Sequence, residues 1–121
     1  MFEISVETHF MATHQLALAD GAKEPAHEHI WEVYAYVRGE KLNKMGIVMD
    51  FRDLKSKLEN ITAPFEKKML NNIEYFQKYN PSAENVARFI FDMLEPQLPE
   101  NVKLSAVSVV EVANARAKFS R

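Results

Sequence analysis

The chain has 121 residues, of which 47% are hydrophobic and 26% charged, with a formal net charge of −2. That balance is ordinary for one soluble globular domain spanning residues 1–121, and it gives no electrostatic footprint for nucleic acid or an anionic membrane. Cysteine is absent, which excludes disulfides and thiolate chemistry; no apolar run is long enough to span a bilayer, so the expected location is the cytoplasm.

Phe2-Glu3-Ile4-Ser5-Val6-Glu7-Thr8 alternates apolar and polar side chains, which predicts a half-buried strand. The same parity runs on through Phe10, Ala12 and His14. Asp20-Gly21 and Pro25 mark a loop. A second strand, rich in Trp, Tyr, Val and Ile, is expected from about His27 to Arg38, ending at Gly39. Together they form a long antiparallel hairpin with histidines near its loop end. Trp31 and Tyr34 read as packing residues.

His27-Glu28-His29 is the chemical centre of this hairpin. Alternate residues of a strand share a face, so His27 and His29 point the same way. With His14 from the neighbouring strand they make a three-nitrogen cap, which leaves zinc a fourth position for water or substrate. The competing reading is a set of ordinary surface or core histidines. His9 falls on the opposite face in a regular strand and is left out of the set; a bulge would change that.

Asp50 is a candidate N-cap for a helix whose buried stripe is Phe51, Leu54, Leu58 and Ile61. Pro64 interrupts it, and a shorter helical or irregular segment follows to about Phe76. Ser82 is expected to cap another helix, with Glu84 in the first turn and a stripe of Val86, Phe89, Ile90, Met93 and Leu94 that Pro96 closes. Val102–Val112 and Ala115–Phe119 predict a C-terminal hairpin, with Val107 and Val109 mainly core. The layout is α+β: a four-stranded antiparallel sheet with two helices on one face.

At this point the chain resembles the 6-pyruvoyltetrahydropterin synthase and 6-carboxytetrahydropterin synthase superfamily over nearly its whole length. Phe10-Met11-Ala12-Thr13-His14 is similar to the family's Phe-x-Ala-Ala-His, and His27-Glu28-His29 to its His-Gly-His. Gly46-Ile47-Val48-Met49-Asp50-Phe51 with Leu54-Lys55, then Leu70-Asn71, Asn80-Pro81-Ser82-Ala83-Glu84-Asn85 and Val109-Val110-Glu111 match further motifs in order. The resemblance implies a tunnelling (T-fold) subunit, whose sheets close into a barrel in a trimer, with two trimers stacking as a hexamer. It also implies Zn2+ on His14, His27 and His29, and a pterin substrate in a pocket made between subunits, its ring N–H donors met by Glu111.

The chain departs from the pattern where the chemistry sits. The family's cysteine, four residues before His27, is Lys23 here. Glu24-Pro25-Ala26-His27 instead resembles a subgroup with glutamate in place of the cysteine arrangement, which cleaves the side chain of dihydroneopterin triphosphate to 6-hydroxymethyl-dihydropterin for folate synthesis. Glu24 is then the general acid or base; the alternative is an exposed loop carboxylate. The family's Asp-His pair falls on Glu66-Lys67. Lys67 becomes a second proton-transfer candidate if its pKa is lowered, or else part of a solvated charged surface. Arg116 and Lys118 are weak candidates for meeting a phosphate. Three functions follow: a zinc-dependent pterin lyase, a divergent member working on another pterin or purine-like substrate, and a catalytically silent pterin-binding paralogue.

Overall fold

The alternation in the first forty residues builds the centre of the sheet. In the computed structural model, which describes residues 1–121, β1 (Phe2–His14) and β2 (His27–Gly39) pair antiparallel with no break in register. Phe10 stands opposite Trp31, and His14 opposite His27. β4 (Lys103–Val112) pairs antiparallel with β2, and β5 (Ala115–Phe119) closes the far edge.

Two residues after the first helical segment, β3 (Lys68–Met69), pair in parallel with Ala12 and Thr13. The sheet therefore has five strands and is mixed, in the order β3-β1-β2-β4-β5, rather than four-stranded and antiparallel. A two-residue strand leaves no alternation to read in a sequence.

Two long helices cover one face of the sheet, α1 (Phe51–Thr62) and α3 (Ala83–Leu94); a five-residue helix, α2 (Glu74–Lys78), lies between them. Both expected caps form: the Asp50 carboxylate accepts from the Arg52 amide and the Ser82 hydroxyl from the Asn85 amide. Leu54, Leu58 and Ile61 of α1 are buried, but Phe51, at the first position of the helix, is 56% exposed. In α3 the buried stripe is turned toward Ala87 and Phe91, which leaves Met93 46% exposed.

Between the layers lie Phe10, Trp31, Val33, Ala35, Val37, Val107 and Val109, all buried. Trp31 is fully buried, stacks on Phe10 with ring centroids 5.8 Å apart, and donates its indole N–H to the Ala12 carbonyl at 3.1 Å. Each such large apolar side chain contributes about 1.5–3 kcal/mol by leaving water. The other face of the sheet carries no helix. There Arg116 lies over the Tyr34 ring and Lys118 over the Tyr36 ring, at 5.0 and 4.7 Å from the centroids, and their stems help bury Ser108 and Val110.

Candidate metal centre

The core-facing stripe of β2 reads Val37, Ala35, Val33, Trp31, and then His29 and His27. The first four are fully buried, His29 is half-buried and His27 is exposed. Histidine thus takes over where the stripe emerges from beneath the helices. The same happens in β1, where Phe10 and Ala12 lead to His14, and in β4, where Val107 and Val109 lead to Glu111. Three adjacent strands present metal-ligand side chains at one end of one face. Trp31 forms the floor, its ring 4.8 Å from that of His14 and 6.1 Å from that of His29.

His14, His29 and Glu111 come together, their nearest donor atoms all within 4.8 Å of one another. His14 is 2% exposed; its Nε2 stands 2.6 Å from Glu111 Oε1, and His29 Nε2 stands 4.0 Å from the same oxygen. His14 Nδ1 is 2.7 Å from the Pro81 carbonyl, which can only accept, so Nδ1 carries a proton and donates it. The remaining nitrogen, Nε2, is free to bind a cation. An imidazole whose second nitrogen donates to a carbonyl is the usual arrangement of a zinc-ligating histidine, and two imidazoles with a carboxylate or a third imidazole make a zinc donor set. The residues present fit the metal that the sequence implied.

His27 shares this face, with its ring 5.9 Å from that of His29, but stands outside the tight group. Glu24 is half-buried in the β1–β2 loop, where its Oε1 accepts from the Leu16 amide at 3.2 Å; its carboxylate bonds to no histidine of its own chain. Lys67 is exposed at the outer edge of β1, ahead of β3. Its backbone has a φ of 58°, and its amide donates to the Met11 carbonyl at 2.6 Å. The neighbouring Glu66 carboxylate accepts from the Met11 amide. A lysine in the left-handed region is uncommon, and these two bonds to the Met11 backbone, one from the Lys67 amide and one to the Glu66 carboxylate, hold it there.

The remaining candidates lie elsewhere. His9 is exposed on the open face, opposite Glu32. Arg116 and Lys118 are on that face as well, spent on the tyrosine rings. Partial burial, and then the Glu32 and Glu7 carboxylates, push the Tyr34 hydroxyl above the usual tyrosine range. Pro81 is the functional residue that sequence reasoning did not single out: Asn80-Pro81 read as a motif and a helix start, with nothing to say that its carbonyl faces His14.

A family model described as 6-pyruvoyl tetrahydropterin synthase matches residues 3–121. Among characterised proteins, the chain is 32% identical over 102 residues to dihydroneopterin monophosphate aldolase of Pyrococcus furiosus, covering 84% of this chain and 82% of that one. It is 38% identical over 90 residues to human 6-pyruvoyl tetrahydrobiopterin synthase, covering 73% of this chain and 61% of that one. Among solved structures, 6-pyruvoyl tetrahydropterin synthase of Caenorhabditis elegans superposes with a TM-score of 0.87 at 20% identity, covering 99% of this chain and 95% of that one. That of Plasmodium vivax superposes at 0.78 and 21%, covering 99% and 97%. At these identities the structural likeness establishes the fold.

Proposed function

Because the chain belongs to the 6-pyruvoyl tetrahydropterin synthase family, we propose that it is a zinc-dependent pterin lyase that cleaves the side chain of a dihydroneopterin phosphate to 6-hydroxymethyl-dihydropterin, in the folate branch. The observation that carries this reading is the convergence of His14, His29 and Glu111 on the Trp31 floor, beside a loop that offers Glu24 where the family's cysteine arrangement stands. The Pyrococcus relative is by name an aldolase for the monophosphate. The triphosphate shares its pterin and its reacting carbons, so both are candidate substrates.

In this reading His14, His27 and His29 hold zinc. His27 stands directly across from His14, on the face of His29, and its exposed side chain is free to turn inward. Zinc, when bound, supplies Lewis acidity to the hydroxyls of the substrate side chain. Glu111 accepts from the pterin amino and ring N–H groups. Glu24 takes the proton of the 2′-hydroxyl; the C1′–C2′ bond breaks as C2′ becomes an aldehyde carbonyl, and its electron pair passes through C1′ into the ring. C1′ then takes a proton to leave the hydroxymethyl group, and the phosphate departs on the two-carbon aldehyde. Lys67 is the second proton-transfer candidate.

The 2.6 Å approach of Glu111 to His14 favours a second arrangement, in which Glu111 replaces His27 as the third ligand. We further propose the trimer or hexamer that the family resemblance implies. The outer edges of β5 and of most of β1 have no partner within the chain, and closing them into a barrel removes them. Lys67 sits on the β1 edge, where an adjoining copy would lie.

Purified, zinc-loaded protein incubated with dihydroneopterin monophosphate and triphosphate in parallel tests the reading. Mass spectrometry should find 6-hydroxymethyl-dihydropterin with at least one of them. No conversion of either, with zinc bound stoichiometrically, would overturn the assignment.

A further inference from the structure

Gln15, Leu16 and Ala17 continue β1 past His14 into the loop, beyond the last residues paired with β2 and β3. A run of backbone outside the sheet has to find its partners elsewhere. One edge finds the loop's own backbone, in an isolated bridge of Ala17 to Lys23, and side chains supply the rest. Asn71 Oδ1 accepts from the Gln15 amide at 3.0 Å, and Asn71 Nδ2 donates to the Gln15 carbonyl at 2.7 Å. Asn80 does the same for Ala17, accepting at 2.9 Å and donating at 3.0 Å. Each carboxamide offers the one acceptor and one donor that a residue of a paired strand would offer.

Leu16, facing the other way, bonds to Glu24. Its amide donates to Glu24 Oε1 at 3.2 Å and its carbonyl accepts from the Glu24 amide at 3.1 Å, while Gln15 Nε2 donates to the Glu24 carbonyl at 3.1 Å. The alternation of a strand is therefore kept, with two asparagines on one edge and Glu24 on the other. Both asparagines also meet the metal centre through its neighbours. Gln15 follows His14, and Pro81, whose carbonyl receives the His14 Nδ1 proton, follows Asn80. Asn85 Nδ2 donates to the Asn80 carbonyl at 2.9 Å, tying this clamp to the first turn of α3.

We propose that Asn71 and Asn80 are positioning residues: their carboxamides complete the backbone ladder of Gln15–Ala17 and so set where the His14 imidazole and the Glu24 carboxylate stand. The half concerning Glu24 rests on the lyase reading above; the half concerning His14 does not. One oxygen of Glu24 is anchored on Leu16, which aims the other. Misplacing a reacting group by an ångström costs about 10²-fold in rate, and losing a partner behind a metal ligand costs about 10- to 100-fold in metal affinity.

The test compares Asn71→Ala and Asn80→Ala with the shape-matched Asn71→Asp and Asn80→Asp, which keep the acceptor but set a carboxylate oxygen against the Gln15 or Ala17 carbonyl. Zinc affinity is read by competition with a chromophoric chelator, and kcat and KM with the dihydroneopterin phosphate that turns over. The expected result is a zinc affinity about 10-fold or more weaker for the Asn80 variants. For all four variants kcat falls by about 10²-fold while KM stays within about twofold. Wild-type zinc affinity and kcat, or a rise in KM alone, would overturn the proposal. Should an alanine variant fail to fold, its aspartate counterpart carries the comparison. Should the wild-type protein turn over neither phosphate, the lyase reading fails, and the zinc affinities of the Asn80 pair still decide the His14 half.

Discussion

His14 Nε2 lies 2.6 Å from Glu111 Oε1, on the side of the imidazole opposite the Pro81 carbonyl. An ionised carboxylate offers only lone pairs, and so does a ring nitrogen whose partner nitrogen holds the proton. The contact is attractive only with a cation, proton or metal, between the two. Under the proposed function Glu111 therefore competes with His27 for the third place on a bound zinc, and the two arrangements predict opposite results. With His14, His27 and His29 as ligands, His27→Ala lowers zinc affinity by more than the roughly 100-fold upper range of an outer-shell partner, and Glu111→Gln by less. Chelator competition on the two variants measures this; the reverse order would make Glu111 the ligand.

Glu24→Gln keeps the side-chain oxygen that accepts from the Leu16 amide and removes the basic carboxylate. The loop and the zinc site should survive, while kcat falls by roughly 10²- to 10⁴-fold, the usual contribution of a positioned acid or base. Product formation followed by chromatography, beside the zinc content of the same sample, checks both halves. Full activity in this variant would remove Glu24 from the mechanism and leave it as a loop fastener.

Much of this site is visible in the sequence because strands carry their geometry in their parity. Phe10, Ala12 and His14 share a face, as do Trp31, His29 and His27, and the unbroken pairing of β1 with β2 keeps the two sets together. His9 is excluded by the same parity. Glu111 is harder to place. Its strand is separated from β2 in sequence by three helices and β3, and only the alignment of Val110 with Glu32 brings the carboxylate level with the histidines. Lys68–Met69 and the asparagine clamp are illegible for a different reason. They are partners to edges already formed, and a side chain standing in for a strand has no periodicity. Phe51 and Met93 fall on the apolar stripes yet stand exposed, because apolar spacing does not say where a helix's buried arc ends.

The cap of α1 gives a prediction about pH. Hydrogen bonds from the Arg52 side chain and amide hold the Asp50 carboxyl below the usual carboxylate range. Its folded pKa is thus lower than its unfolded one. The stabilisation is fully present above the ordinary carboxylate range and is lost as pH falls through the lowered folded value. Asp50→Asn retains a capping side chain and discards the charge. Urea midpoints of the two proteins should differ by a small, constant amount at neutral pH and converge in acid, since the pair faces solvent. A difference that does not change with pH would assign the effect to cap geometry alone.

Trp31 offers a direct report on the metal. It is the single tryptophan, is fully buried, and has both His14 and His29 packed edge-on against its ring. Cobalt(II) prefers the same nitrogen and oxygen donors as zinc and, with its unfilled d shell, quenches a nearby excited indole, whereas zinc with a filled shell does not. Cobalt added to metal-free protein, with excitation where tyrosine does not absorb, should quench Trp31 until one ion is bound per chain, and added zinc should reverse it. His14→Ala and His29→Ala should each abolish the high-affinity phase. Because Trp31 lies beneath those two rings, stoichiometric cobalt binding that left its emission unchanged would place the ion away from this end of the sheet, and the zinc role of both histidines would fall with it.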